Sequence, residues 1–221
     1  MLTKRRIMLE KDRCAPRRFA TEKGIFLTFD DGPDERYTPQ ILDVLGKFRV
    51  KATFFVVGKK AKKHSDIVWR IFKEGHDIGN HTYSHPVSPI FRYKSIEKEI
   101  RATDKIIKKI TGENPYLFRP TWGSWDIHSK RMENISKRLG HYPIRWSISS
   151  IDWLGVRKII RHQILNKGVN SREIVLFHDG AEKSPFSKRN ATVDLLPEIL
   201  DTAKSRNIFP LKLSSFIPKV K

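Results

Sequence analysis

At 221 residues the chain is long enough to bury one sizeable core and short for two, so a single domain is the expectation. Apolar residues at 38% and charged residues at 31% exclude an intrinsically disordered chain, and no run approaches the ~20 apolar residues that a membrane-spanning helix needs. A formal charge of +20 predicts a positive surface field that favours an anionic partner, whether nucleic acid, anionic lipid or an acidic polymer such as a bacterial wall, with a solvated lysine-rich surface as the alternative.

Residues 1–23 read as a basic lead-in and 24–221 as the folded domain. Cys14 is the only cysteine, so no internal disulfide is expected and stability must come from the core and any bound metal. Met1 to Arg18 has no apolar run of signal-peptide length, which leaves two expectations: a cytoplasmic protein, or one whose leader has been removed. Gly24–Phe29 is a short apolar run stopped by Asp30-Asp31-Gly32-Pro33, the pattern of a buried strand ending in a turn. A helix follows over Pro39–Phe48, with Ile41, Leu42 and Leu45 at helical spacing behind a Thr38 cap, and then a strand over Ala52–Val57. The alternation continues with helices at Ser65–Lys73, Ser95–Ile110, His128–Leu139, Val156–Asn166 and Val193–Ser205. Strands are expected at His76–Asn80, Tyr116–Phe118, Ile144–Ile148, Ile174–Phe177 and Phe209–Leu213. Such alternation predicts a parallel sheet, and the polar residues choose its form. Asp30, Asp31, His81, Arg119, Asp152 and His178 fall at the C-terminal ends of predicted strands, where α/β barrels place their chemistry.

Five short clusters carry that chemistry. Asp30-Asp31 is a pair of carboxylates on a tight turn; adjacent residues leaving a strand diverge, so one can bind a cation while the other takes a proton. His81 and His85 are four positions apart, a spacing that on a helical turn puts both rings on one side of a single divalent ion. One carboxylate added to two imidazoles suits zinc or a related transition metal and leaves positions for water. Arg119, in Arg119-Pro120-Thr121-Trp122-Gly123, can clamp a carboxylate by a forked hydrogen bond, and loop N–H groups after it can face a developing oxyanion. Asp152-Trp153 is the fourth cluster. In the fifth, Leu176-Phe177-His178-Asp179, His178 leaves a very apolar strand, and with a carboxylate able to orient it the ring suits general acid work near neutral pH. Each cluster alone also reads as an ordinary turn or strand end; together, on the strand ends of one domain, they supply ligands, base, clamp and acid.

The ordered set Thr-Phe-Asp-Asp-Gly-Pro, His-Thr-x-x-His, Arg-Pro-x-x-Gly, Asp-Trp and Leu-x-His resembles the five motifs of the polysaccharide deacetylases of carbohydrate esterase family four, the group with the NodB-homology domain, from about Gly24 to Phe216. The resemblance implies a deformed (β/α) barrel with fewer strands than the eightfold form, here about seven. It implies one divalent metal held by Asp31, His81 and His85, with zinc expected ahead of cobalt, nickel or manganese. By the same match Asp30 is the general base and His178 the general acid, while Arg119 orients Asp30 and Asp152 orients His178. The Trp122 N–H completes the oxyanion site, and Trp153 and Leu176 belong to the substrate side. Two positions depart from the pattern: Thr121-Trp122 stands where the family commonly has Pro-Tyr, and Ser149 where it usually has a further acid.

The expected substrate is an N-acetylated glycan, an anionic cell-wall polymer before a chitin-like oligomer, handled by a monomer. Competing readings are an amide hydrolase acting on a small non-sugar molecule and a metal-free glycan-binding domain. A nucleic-acid partner is not expected, because no zinc-knuckle spacing, RNA-recognition aromatic motif or basic heptad helix accompanies the charge.

Overall fold

β1 (Gly24–Asp30) is buried along its whole length and forms the middle of a parallel sheet, as its largely apolar run requires. The computed structural model describes residues 23–86, 93–123, 125–166, 169–180 and 188–217; most of the basic lead-in, with Cys14, lies outside them. After β1 come α1 (Tyr37–Lys47), β2 (Thr53–Val56), α2 (Gly58–Lys63), α3 (Ser65–Lys73), β3 (Asp77–Asn80), α4 (Tyr93–Thr111) and β4 (Leu117–Phe118). The second half holds α5 (Trp125–Arg138), β5 (Tyr142–Pro143), β6 (Ile148–Ser149), α6 (Arg157–Arg161), β7 (Ile174–His178), α7 (Asn190–Ser205) and β8 (Phe209–Pro210). The strand order is β5-β4-β3-β2-β1-β7-β6, every pairing is parallel, and β8 joins the start of β1. This is a curled, incompletely closed barrel in one domain, as expected.

Period-two alternation along β1 sorts its side chains between two cores. Ile25, Leu27 and Phe29 face the helices, where Phe29 stacks between Phe54 and Phe177 at ring-centroid distances of 5.0 and 5.6 Å. Burying each such ring contributes roughly 1.5–3 kcal/mol. Phe26 faces the other way, into a smaller cluster with Phe55, Leu117, Ile144, Ile174 and Leu213 that fills the barrel. Thr28 and Asp30 continue the Phe26 row towards the C-terminal end, so the interior grades from apolar to polar along one strand face.

Three local expectations are corrected. The strand expected over Ile144–Ile148 does not form: β5 ends at Pro143 on one edge of the sheet, paired with β4, β6 begins at Ile148 on the other, paired with β7, and residues 144–147 cross the opening between them. Arg145 and Ser147 break the apolar run that a continuous buried strand would need. Thr38 does not cap α1, which begins at Tyr37 with no side-chain cap. Its hydroxyl accepts the Asp34 N–H (2.8 Å) and donates to Asp179 Oδ2 (2.6 Å). The helix expected over Val156–Asn166 is α6 followed by a π-helical turn over His162–Asn166. Among the described residues no helix is long and apolar enough to cross a membrane.

Candidate active site

Sheet register gathers the motif residues. Asp30 is the partner of His178 on β7 and of Phe55 on β2. Asn80 at the end of β3 pairs with Phe118, and main-chain bonds from His81 to Val56 and from Arg119 to Asn80 carry the order one residue past the strands. Ser149 pairs with Leu176, which brings Asp152 round to β7. Clusters far apart in the chain therefore meet on one rim.

Asp31 leaves β1 in the left-handed region (φ 71°), a conformation Asp tolerates better than most residues, and so turns away from the inward direction of Asp30. The turn is tightly fitted. A Cβ on Gly32 would lie 2.0 Å from Asp179 Oδ2, and one on Gly180 1.9 Å from the Asp31 carbonyl oxygen, so only glycine fits either position. Lys60 Nζ donates to that same carbonyl at 2.8 Å.

His81 and His85 do not sit on a helical turn, contrary to expectation. They belong to an irregular loop in which Thr82 (φ 67°) and His85 (φ 51°) are both left-handed. The loop is held from outside: Asn80 Oδ1 accepts the Thr82 N–H, and Glu99 of α4 accepts from Tyr83 N, Ser84 N and Ser84 Oγ at 2.6–3.0 Å. His81 Nδ1 donates to the Arg119 carbonyl oxygen at 2.6 Å, which leaves the lone pair on Nε2. Nε2 of His81 and of His85 lie 3.4 and 3.0 Å from Asp31 Oδ1. One ligand atom from each residue falls within 4.8 Å of the others, a carboxylate and two imidazoles that fit a transition-metal cation. Burial works to raise the Asp31 pKa, but hydrogen bonds with both imidazoles and the nearby charges of His178 and His81 hold it well below the usual carboxylate range.

Asp30, 3% exposed, receives Arg119 Nη1 on Oδ1 at 2.8 Å, while its Oδ2 lies 3.8 Å from His81 Nε2, beside the ligand cluster. Arg119 is fully buried. It also donates to Thr28 Oγ1 (2.8 Å) and to the carbonyls of Ile144 (3.4 Å) and Arg145 (3.1 Å), with its guanidinium 4.2 Å from the Phe55 ring centre. Ser149 supplies no carboxylate here; its Oγ accepts the Ile151 N–H.

The carboxylate that orients His178 is Asp152 and not its neighbour Asp179. Asp152 Oδ1 meets His178 Nδ1 at 2.6 Å, and Oδ2 accepts the His178 main-chain N–H and the Thr192 hydroxyl, both at 2.9 Å. Asp179 points beneath the Asp31 turn to Thr38, where burial pushes its pKa up to about 7. Burial disfavours the His178 imidazolium, but Asp152, with Asp31 and Asp30 further off, outweighs it and raises the pKa to about 9. The sign follows. The pair's stabilisation is complete below the ordinary histidine value of 6.5 and is lost as pH rises through about 9. On the acid side it is present above the ordinary Asp152 value of 3.8 and is lost as pH falls through the lowered one. Asp152→Asn is therefore expected to bring the alkaline limb of kcat/KM down by about two pH units, the scale of one adjacent opposite charge; an unmoved limb in a pH–rate profile would remove Asp152 from this role.

The rim is aromatic. Trp122, left-handed at φ 60° and 58% exposed, lies 5.2 Å from the His85 ring and donates its indole N–H to the Pro86 carbonyl. Trp153, 44% exposed, meets His178 edge-on at 5.6 Å. Leu176, buried, lies two residues before His178 and so on the same face of β7.

A family model described as polysaccharide deacetylase matches residues 18–144. The chain belongs to the polysaccharide deacetylase family. Among its relatives in that family, a peptidoglycan-N-acetylglucosamine deacetylase of Bacillus cereus is 36% identical over 189 residues, covering 84% of each chain. A chitooligosaccharide deacetylase of Rhizobium leguminosarum bv. trifolii is 35% identical, covering 84% of this chain and 87% of its own. The crystal structure of the Bc1960 peptidoglycan N-acetylglucosamine deacetylase superposes with a TM-score of 0.81 at 32% identity, over 94% of this chain and 92% of the other. The polysaccharide deacetylase is accordingly an enzyme of the hydrolase class.

All the motif residues read from the sequence as site residues lie on this rim. Asn80, Glu99 and Thr192 lie outside the motifs and Thr28 stands in the first of them with no role assigned, although each holds a site group. Asn80 immediately precedes His81, and Thr28 stands two residues before Asp30 as a polar residue in an otherwise apolar run, which was the available signal. Glu99 and Thr192 sit on helices and carry no local signal.

Proposed function

We propose that this polysaccharide deacetylase hydrolyses N-acetyl groups on an amino-sugar polymer, peptidoglycan N-acetylglucosamine before chitin-like oligomers, releasing acetate, with Asp31, His81 and His85 holding one divalent cation, zinc before cobalt, nickel or manganese. The observation that carries this reading is the convergence of those three ligand atoms beside two differently supported groups, Asp30 on Arg119 and His178 on Asp152. A cation bound there supplies Lewis-acid polarisation and a more acidic water. Asp30 takes the proton of the attacking water, because Arg119 occupies Oδ1 and leaves Oδ2 free towards the ligand cluster. The Trp122 main-chain N–H faces the oxyanion. His178, charged at neutral pH, gives its Nε2 proton to the departing amine while Asp152 retains Nδ1. Trp153 and Leu176, on the His178 side of the rim, belong to the substrate side. The preference for peptidoglycan draws on the net charge of +20, which favours an acidic polymer, and on the similarity to the B. cereus enzyme.

Acetate release from purified peptidoglycan and from chitin oligomers, with and without a chelator, tests reaction, cation and substrate together. Release from at least one polymer, abolished by chelation and restored by zinc or cobalt, is expected. No acetate from either after cation loading would defeat the reading.

A further inference from the structure

On the flank of the barrel α2, α3 and α4 line an open groove of about 610 Å³. Trp69 lies in it, 46% exposed and with a tilted partner in Phe72, while Ile106 and Ile110 supply further apolar lining. Lys62 and Lys109 also line it, and Asp66 is the single acid there. Lys105, exposed, stands one turn before Lys109 on the same side of α4. None of these three lysines takes part in an ion pair among the described residues.

The groove's position ties it to the reaction. The N–H groups of Gly58 and Lys59, at the start of α2, donate to the carbonyls of Thr82 and Tyr83, so α2 begins on the loop that carries His81 and His85. Lys62 follows within six residues of helix, roughly 6 Å along the axis from that loop.

We infer that this groove is a second, non-catalytic binding site for a carboxylate-bearing glycan. A pyranose ring packs its C–H face on Trp69, and an acidic substituent of the same chain lies between Lys62 and Lys109. An indole offers a flat, rigid apolar platform at low entropic cost, and two unpaired ammonium groups beside it select an acidic over a neutral sugar chain. A lipid surface fits less well, since it requires a convex face with several projecting apolar side chains, whereas here one tryptophan lies in a concavity among three helices. The inference rests on the deacetylase reading for the identity of the polymer. Held at two points, an insoluble substrate presents its next acetyl groups at high effective concentration.

The test is co-sedimentation of the full chain with purified peptidoglycan sacculi and with neutral chitin particles, for the wild type, Trp69→Ala and the double variant Lys62→Glu/Lys109→Glu. Trp69→Ala is expected to weaken binding to both polymers. The charge reversal is expected to weaken binding to sacculi about tenfold, equivalent to ~1.4 kcal/mol, and to leave chitin binding unchanged. Acetate release from short chitin oligomers and the melting temperature should match the wild type in the double variant, whose changes are at exposed positions. Wild-type sedimentation of both variants with sacculi would overturn the inference, as would equal loss on chitin and sacculi in the charge reversal. So would phosphatidylglycerol vesicles responding to the substitutions while sacculi do not. If no variant and no wild type released acetate from any polymer, the deacetylase reading would fail, and sedimentation would still decide the groove.

Discussion

Asp30→Asn is expected to lower kcat by about 10²–10⁴-fold, the range of a positioned general base, while the protein still retains its cation. The two carboxylates of the turn have separate surroundings: Asp31 Oδ1 faces both Nε2 atoms, whereas Asp30 is fixed by Arg119 and only borders the cluster. An asparagine keeps the volume and can still accept from Arg119, but it cannot take a proton. His81→Ala provides the contrast. It removes one of three ligand donors and vacates the bond to the Arg119 carbonyl, so cation content and acetate release should fall together. Metal content after dialysis, measured beside acetate release for both variants, separates the roles. Near-normal turnover by Asp30→Asn would overturn its assignment as base. Because Arg119 loses its counter-charge in that variant, stability is expected to drop as well, by about 3 kcal/mol, and turnover should be compared well below the melting temperature.

The readable part of this protein is the part written in short range. β1 is apolar but for Thr28 up to its closing Asp30, β7 is apolar up to His178, α1 and α3 carry helical spacing, and the motifs sit where those runs stop, so the barrel and its active rim follow from pattern. One failure has its cause in partners remote in the chain. His81 and His85 were read as a helical pair because four-residue spacing means that on a helix. The loop they occupy depends instead on Glu99 and Asn80 accepting its N–H groups. Asp152, by contrast, is named by the motif match as the partner of His178, 26 positions away, and the β6–β7 pairing brings the two together. Ile144–Ile148 reads as one strand from the isoleucines at its two ends, whereas Arg145 and Ser147 interrupt the run and the segment crosses the opening between β5 and β6.

Arg119→Met should lower stability and turnover together. Three structural tasks meet in this residue. Its guanidinium holds Asp30 and Thr28, its Nε and Nη2 tie down the Ile144 and Arg145 carbonyls at the opening of the barrel, and its own carbonyl fixes the His81 tautomer. Methionine fills much of the space over Phe55 but leaves Asp30 as a buried charge without its partner, at a cost of about 3–5 kcal/mol. The main-chain bond to His81 survives the substitution, so cation content is expected to persist while kcat falls by about 10²-fold or more for want of a correctly held base. Arg119→Lys separates the charge from the fork. An ammonium can restore the counter-charge to Asp30 and part of kcat, but as a point donor it cannot also bind two carbonyls, so the midpoint of urea unfolding should stay close to that of the methionine variant. A methionine variant with unchanged kcat would show that Asp30 needs no orienting partner. A lysine variant with wild-type stability would show that the carbonyl bonds at 144 and 145 do little to hold the barrel's open edge.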